Sequence, residues 1–538
     1  MTYNLSELFE QVVDTAAART AVVAGDRRLT YAQLEDRANR LAHHLAGAGI
    51  GAGDHIGLHL LNGTEYLEGM LAAFKLRAVP ININYRYVER ELEHLYGYMD
   101  LVALVVNRQF APQVEAIAPR IEALRHFIVV DDGSGTSVPS GWVHYDDALA
   151  SATAGRDFEG RSADDIYCTC TGGTTGLPKG VLWRHEDIFF AAMGGGDATM
   201  MEGPISQPSE LRDRIPEVGM IMLVTPPLMH VSAHWSAFVT LFGGGTIVLL
   251  PPGPFDPAVA WDLVATERVN LVVLVGNAMV TPLLDHFEEH GAGDVASLFV
   301  VASGGAILSA STKQRVNRLL PNVIVIDGFG SSETGVAGSD ATGGGGAQGG
   351  GTVFKMDDTT TVFDDDLQPV TPGSGQVGRL ARRGRIPLGY YNDPEKTAAT
   401  FVERDGVRWV LPGDLASVES DGSIVVHGRG SVSINTGGEK VFPEEVESAL
   451  VGHERVQDLL IVGVPDEQWG QLVVAVVQPR SGTTLTLDEL KDHARAHLAG
   501  YKVPRRLVLV DAIVRSPNGK PDYGWARDQA MATRPVGG

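Results

Sequence analysis

The chain has 538 residues, too many for one ordinary hydrophobic core, so two or more domains are expected. Hydrophobic residues make up 44% and charged residues 20%, a balance that excludes a disordered or membrane-embedded protein and fits a globular enzyme. A formal charge of −23 excludes non-specific binding to nucleic acid, and any anionic ligand needs positive charge gathered locally.

The segment Met1-Thr-Tyr-Asn-Leu-Ser lacks the basic start and apolar centre of a signal peptide, which predicts a cytoplasmic protein. No uninterrupted apolar stretch approaches the ~20 residues that span a bilayer. Leu241 to Leu250 comes nearest and is broken by three glycines. Thr30 and Gln33 form a capping box that opens a helix with Tyr31, Leu34, Ala38, Leu41 and Leu45 on one face. From there helical and strand patterns alternate, which predicts an α/β fold with largely parallel sheets.

Ile166 to Cys170 has strand character and runs into Thr171-Gly172-Gly173-Thr174-Thr175-Gly176-Leu177-Pro178-Lys179-Gly180. Glycines let a backbone approach an anion closely, the threonines add hydroxyl donors and Lys179 adds a positive charge, so the loop reads as a phosphate cradle. It is not a Walker loop, because no Ser or Thr follows Lys179. Gly328-Phe329-Gly330-Ser331-Ser332-Glu333 is not a dinucleotide loop, because a glutamate stands where the third glycine belongs. The cysteines, Cys168 and Cys170, are spaced i, i+2 on the same strand face, a pattern of buried reduced thiols rather than a disulfide or metal site.

Further on come Pro227-Leu228-Met229-His230 and the apolar strands Asn270 to Val275, Ser297 to Ala302 and Asn322 to Ile326. Each strand ends in glycine or polar residues, where a sheet's carboxyl edge can hold a ligand; Ser303-Gly304-Gly305-Ala306 is one such exit. Residues 341–351 are glycine-rich and read as a mobile loop. Gly389-Tyr390-Tyr391, Pro412-Gly413-Asp414 and Gly428-Arg429 follow. The texture then changes to a compact unit: helix Glu444 to Val451, strands Leu459 to Val464 and Leu472 to Gln478, and a helix near Leu487 to Leu498 capped by Thr486 with Glu489. A boundary at Gly428-Arg429-Gly430-Ser431 divides the chain into a large N-terminal domain, 1–428, and a small C-terminal domain, 429–538. The last residues, 535–538, read as a disordered tail.

Together with Gly437-Gly438-Glu439 and Gly519-Lys520-Pro521, these motifs resemble those of the adenylate-forming superfamily. The loop at 171–180 is similar to its Thr-Ser-Gly-Thr-Thr-Gly-x-Pro-Lys-Gly signature, with Gly172 in place of the serine. The likeness extends from about residue 30 to 525 and is nearest to bacterial acyl-CoA synthetases acting on fatty acids or steroid side-chain acids.

The resemblance implies an ATP-dependent ligase that turns a hydrophobic carboxylic acid into acyl-AMP, releases pyrophosphate, and then transfers the acyl group to CoA with release of AMP. It places ATP or AMP on Thr171, Gly172, Gly173, Thr174, Thr175, Gly176, Lys179, Gly304, Gly305, Ala306, Asp327, Gly328, Phe329, Gly330, Ser331, Ser332, Asp414, Arg429 and Lys520. Glu333 would hold the Mg²⁺ that bridges phosphates, Asp414 and Arg429 the ribose, and the ring of Phe329 would stack on adenine. Lys520, on Pro517-Asn518-Gly519-Lys520-Pro521, would clamp the carboxylate against the α-phosphate. His230 would gate the acyl pocket, walled by Met229, His234, Trp235, Gly276, Met279, Gly304 and Gly330. After adenylation the small domain would rotate about Gly430 and Ser431 to present Gly437, Gly438 and Glu439 to CoA. At that hinge Ser431 and Val432 depart from the acidic or basic residues usual in the family.

No aspartate suited to an amino group stands in the pocket segments, so an amino-acid substrate is disfavoured. A bulky polycyclic acid of steroid or terpenoid type is expected first and a medium- or long-chain fatty acid next. The alternatives are an acyl-AMP ligase that loads a carrier protein and a nucleotide-binding homologue without activity. A homodimer is compatible with the sequence, which locates no interface for it.

Overall fold

A computed structural model describes residues 1–172, 178–199, 201–306, 308–340, 352–355, 357–436, 439–466, 469–498, 500–516 and 519–532. Among these residues the fold is mixed α/β, built on two parallel-rich sheets. The first has eight strands in the order Gly335–Asp340, Ile324–Ser331, Val300–Gly304, Leu271–Leu274, Ile221–Val224, Thr246–Leu249, Thr20–Ala24, Arg27–Thr30. Its pairings are parallel except at the two edges. The second, five-stranded, centres on His55–His59 and Leu101–Asn107 and is parallel throughout. Leu101–Asn107 is buried along its whole length, as a parallel strand covered on both faces must be, and this explains its unbroken apolar run.

Antiparallel pairing appears outside these two sheets as well. Ile166–Gly172 folds back on Pro178–Arg184, which also pairs with Gly389–Tyr390. A seven-stranded sheet, paired antiparallel throughout, carries residues 352–429. In the smaller C-terminal part, the long hairpin Val456–Asp466 with Gly470–Pro479 packs helices Pro443–Leu450 and Leu487–Arg495 around one core and helix Tyr523–Ala532 against another. Both expected capping boxes, at Thr30 with Gln33 and at Thr486 with Glu489, are present. Strand limits move. Leu298 N–H donates to Val295 and closes a turn before the strand, which begins at Val300. The next continues to Ser331, because Gly335–Asp340 folds back beside it.

Cys168 and Cys170 are both buried with free thiols, in one core cluster. No helix among the described residues is long and apolar enough to cross a membrane. The glycine-rich run 341–351 and the tail 535–538 lie outside the described residues.

Glu447 lies buried between the helix Pro443–Leu450 and the hairpin, where Ile461 N–H donates to it at 2.8 Å and the Tyr523 hydroxyl at 3.2 Å. Burial, with Glu444 adding a like charge, pushes its carboxyl from 4.5 up to about 8. The folded protein therefore keeps a proton that the unfolded chain releases. The stability so gained is complete below the unfolded value and is lost as pH rises through about 8. Urea midpoints measured across that window should fall with rising pH, and Glu447→Gln should flatten the decline; an equal slope in both proteins would exclude Glu447 as its source.

Candidate active site

The carboxyl edge of the eight-stranded sheet, the end of the strand Ile166–Gly172 and the described part of the Lys520 loop in the C-terminal part converge on one region. Ser303 and Gly304 are still in their strand and pair with Asp327 and Gly328. A methyl group on Gly304 would lie 3.2 Å from the Gly328 carbonyl oxygen, so glycine there lets the two strand ends close into a narrow slot. Gly305, Ala306, Gly328, Gly330, Ser331 and Ser332 follow around its rim. The Ser332 carbonyl accepts a bond from the buried Trp183 indole at 2.9 Å, and Thr334 Oγ1 accepts one from Ser331 N–H at 2.9 Å, which fixes the turn that carries Glu333. Asp327 turns its carboxylate to Lys313 at 2.8 Å, so what it offers the slot is backbone. Phe329 stacks on Phe354, ring centroids 5.5 Å apart.

Two charged groups of the region, Lys179 and Glu333, already have partners. Lys179 Nζ donates to Asp393 at 2.8 Å, and the Tyr390 hydroxyl donates to Glu333 at 2.9 Å. Asp393 also caps the helix Pro394–Thr400 through Lys396 N–H. The adjacent Lys179 ammonium and that N–H hold the Asp393 carboxyl below its ordinary value. Asp414 is buried and its backbone pairs with that of Arg429, after which comes the turn Gly430–Val432 containing Ser431. Thr171 and Gly172 end their strand, and the Glu439 backbone pairs with Thr436. Gly173, Thr174, Thr175, Gly176, Gly437, Gly438, Pro517 and Asn518 lie outside the described residues.

His230 precedes the helix Val231–Phe242, and its Nε2 is buried without a hydrogen-bond partner among the described residues. Burial, reinforced by the charge of Lys520, pulls its pKa down to about 3, so the imidazole is neutral and Lys520 must lie near it. His234 has both nitrogens engaged, Nδ1 with the Tyr167 hydroxyl at 3.0 Å and Nε2 with that of Tyr66 at 3.3 Å. It braces the floor of the pocket and presents no unused polar atom. Met229, Trp235 and Met279 are buried, Gly276 N–H donates to Ser303 Oγ at 3.0 Å, and the Thr225 hydroxyl rests on the Met279 sulfur.

Two residues that carry no motif hold these pieces together. Asn82 Nδ2 donates to the carbonyls of Cys170 at 2.8 Å and Met229 at 2.9 Å, while its Oδ1 accepts from Cys170 N–H at 2.7 Å. Asn62 Oδ1 accepts from Leu228 N–H at 2.8 Å. The phosphate-loop strand and the His230 segment are thereby tied to one another. The one sequence signal was an amide inside the apolar run Val79-Pro-Ile-Asn82, since a polar group buried there must find partners.

Gly519 seats the lysine loop against the other side of the slot. Its φ is +72°, and a methyl group on it would lie 3.3 Å from the Val275 carbonyl and from Ala278 Cβ, at the start of the helix Gly276–His290. Lys520 follows directly and is exposed.

Family models described as the AMP-binding enzyme and the AMP-binding enzyme C-terminal domain match residues 9–391 and 445–520. The chain belongs to the AMP-binding enzyme family. It is 46% identical to the 3-oxocholest-4-en-26-oate–CoA ligase of Rhodococcus rhodochrous over 98% of this chain and 96% of that one. To the medium-chain acyl-CoA ligase Mig of Mycobacterium avium it is 44% identical, over 95% and 96%. The anthranilate CoA ligase AuaEII, solved with anthranoyl-AMP, shares the fold with a TM-score of 0.86, 22% identity and coverage of 99% and 98%. Within the family the chain is an AMP-forming acyl-CoA synthetase, with ATP and CoA as its cosubstrates.

Asp393→Asn keeps the helix cap but removes the anion that competes with phosphate for Lys179. A half-exposed pair of this kind is worth about 0.2–1 kcal/mol, so the ATP KM should fall by up to about fivefold; an unchanged KM would mean that the pair does not oppose nucleotide binding. By NMR, His230 should titrate at about pH 3, well below an ordinary imidazole; a midpoint at about 6.5 would mean that the ring is not buried as described.

Proposed function

We propose that the protein activates a bulky hydrophobic carboxylic acid, polycyclic steroid- or terpenoid-type acids first and medium- or long-chain fatty acids next, and joins it to CoA. The observation that carries this reading is the near full-length 46% identity to a ligase named for a steroid side-chain acid. A buried wall of Met229, Trp235 and Met279 supports it, since methionines adapt to irregular apolar shapes.

In the first step the carboxylate attacks the α-phosphorus of ATP, forming a C–O–P linkage as the bond to pyrophosphate breaks. An anion must approach a polyanion, so catalysis consists largely of placing positive charge and oriented donors. Lys179 exchanges Asp393 for the phosphates, and the backbone slot at Gly304 and Gly328 receives adenine. Asp414 and Arg429 take the ribose hydroxyls. Lys520 holds the carboxylate to the α-phosphate, supported by the depression that its charge imposes on His230. A neutral His230 cannot repel that cation, and a substrate that arrives ionised needs no general base, so His230 acts as a gate. The Glu333 carboxylate suits a hard cation, and magnesium bound there would neutralise charge on the departing pyrophosphate.

In the second step the CoA thiol attacks the acyl carbon and AMP leaves, the new C–S bond replacing C–O. Lys520 occupies the approach of the thiol. The small domain, 429–538, therefore turns about Gly430 and Ser431 and brings Gly437, Gly438 and Glu439 to the acyl-adenylate, where side-chain-free backbone admits the pantetheine arm.

The substrate reading is tested by AMP release with ATP and CoA over steroid side-chain, diterpenoid, and medium- and long-chain fatty acids. Turnover of the polycyclic acids is expected to exceed that of linear acids; the reverse order would move the enzyme to fatty-acid metabolism. Lys520→Ala should lower acid-dependent ATP–pyrophosphate exchange by about two to three decades while sparing thioester formation from supplied acyl-adenylate. Equal loss of both would refute the division of labour.

A further inference from the structure

The loop that carries Lys520 is itself held by a feature outside every motif that pointed to the site. Arg515 forms a bidentate fork with Asp458 on the strand Val456–Asp466: Nε to Oδ2 and Nη2 to Oδ1, both at 2.7 Å. The side chains are only 18% and 23% exposed, so water and salt screen the fork little. The remaining Arg515 nitrogen, Nη1, donates to the Gly519 carbonyl at 3.3 Å, one residue before Lys520. The loop closes on itself through Ser516 N–H to the Lys520 carbonyl and Gly519 N–H to the Ser516 carbonyl, each at 2.8 Å, and through a bridge between Arg515 and Pro521. Glu447 and Tyr523 face the same guanidinium from behind.

The neighbouring residue on that strand reaches the N-terminal part. Gln457 donates to Asp285, on the helix Gly276–His290, at 3.3 Å. This is the helix whose first turn receives Gly519. Arg515, Asp458 and Gln457, with Met279, Pro282 and Ile513, line a cleft of about 320 Å³ between the two parts. A rigid path thus runs from the docked helix through Gln457 and Asp458 to Arg515, and from Arg515 to the backbone that presents the lysine.

We propose that the Arg515–Asp458 fork is the positioning device of Lys520, fixing the loop at the angle that delivers the ammonium to the site during adenylation. The proposal rests on the assignment of Lys520 to that step. Arg515 touches no reactant; it acts through the Gly519 peptide. A flexible lysine chain on an unclamped loop would reach the same region but spend little time in the reactive geometry, and misplacement by about 1 Å can cost two decades in rate. The second half-reaction, in which the loop has left, has no need of the fork.

The test is a double-mutant cycle on the full-length protein with Arg515→Lys, Lys520→Ala and their combination, and Asp458→Asn as a second route that keeps side-chain shape. Acid-dependent ATP–pyrophosphate exchange reads adenylation, and thioester formation from supplied acyl-adenylate and CoA reads the second step. Arg515→Lys and Asp458→Asn are each expected to lower exchange kcat by about 10- to 100-fold with KM for ATP and acid little changed and thioester formation intact. In the Lys520→Ala background, Arg515→Lys should cost less than about twofold. A parallel fall of both half-reactions, or an undiminished cost without Lys520, would overturn the proposal as describing a merely structural pair. Should Lys520→Ala alone leave exchange at the wild-type rate, the assignment of the lysine fails first, and the fork proposal with it.

Discussion

The site depends on one close contact, the seating of Gly519 on the first turn of the helix Gly276–His290. Its left-handed backbone, and the 3.3 Å that would separate a methyl group from Val275 and Ala278, favour glycine there. That contact sets where the next residue, Lys520, leaves the helix terminus. The surroundings serve the same contact. Gln457 holds the C-terminal hairpin on the same helix, and the helix starts where its strand leaves the eight-stranded sheet, its first N–H bonded to Ser303 at the rim of the slot. The Lys520 loop and the strand end at Ser303 thus meet at one helix terminus.

The acyl side is organised on an opposite principle, an apolar cavity wall resting on a buried polar frame. Tyr66, His234 and Tyr167 satisfy one another, and Asn62 and Asn82 stitch loop backbones together. Fully bonded networks of this kind are stiff, and they keep polar atoms from facing an apolar ligand. His230 Nε2 and Trp235 Nε1 are buried without a hydrogen-bond partner among the described residues, and burial, reinforced by the charge of Lys520, keeps His230 neutral.

Much of this was legible in the sequence because it depends on local chemistry. Capping boxes at Thr30 and Thr486 announce helix starts, and apolar runs such as Asn270 to Val275 announce parallel strands. What escaped was non-local. Nothing near Asp393 shows that it will meet Lys179, more than two hundred positions earlier, and nothing near Arg515 reveals Asp458 as its partner. Asn82 gave only the faint signal of an amide in an apolar strand. The antiparallel sheet within residues 352–429 was missed because strands such as Thr360–Phe363 and Asp414–Val418 interrupt their apolar pattern with polar residues. His234 looked like a pocket wall because sequence shows which helix face it occupies but not that two tyrosines use up its nitrogens.

The pairing of Lys179 with Asp393 has a consequence for how the protein responds to its medium. If nucleotide phosphates take Lys179 as proposed, their arrival exchanges one anion for another, because a carboxylate already sits on the lysine. Dissolved salt weakens the internal pair as it weakens the attraction for phosphate, and the two losses partly cancel. On that reading an acidic protein that must recruit a still more acidic nucleotide keeps Lys179 paired before and after binding, and its nucleotide saturation is buffered against swings in ionic strength.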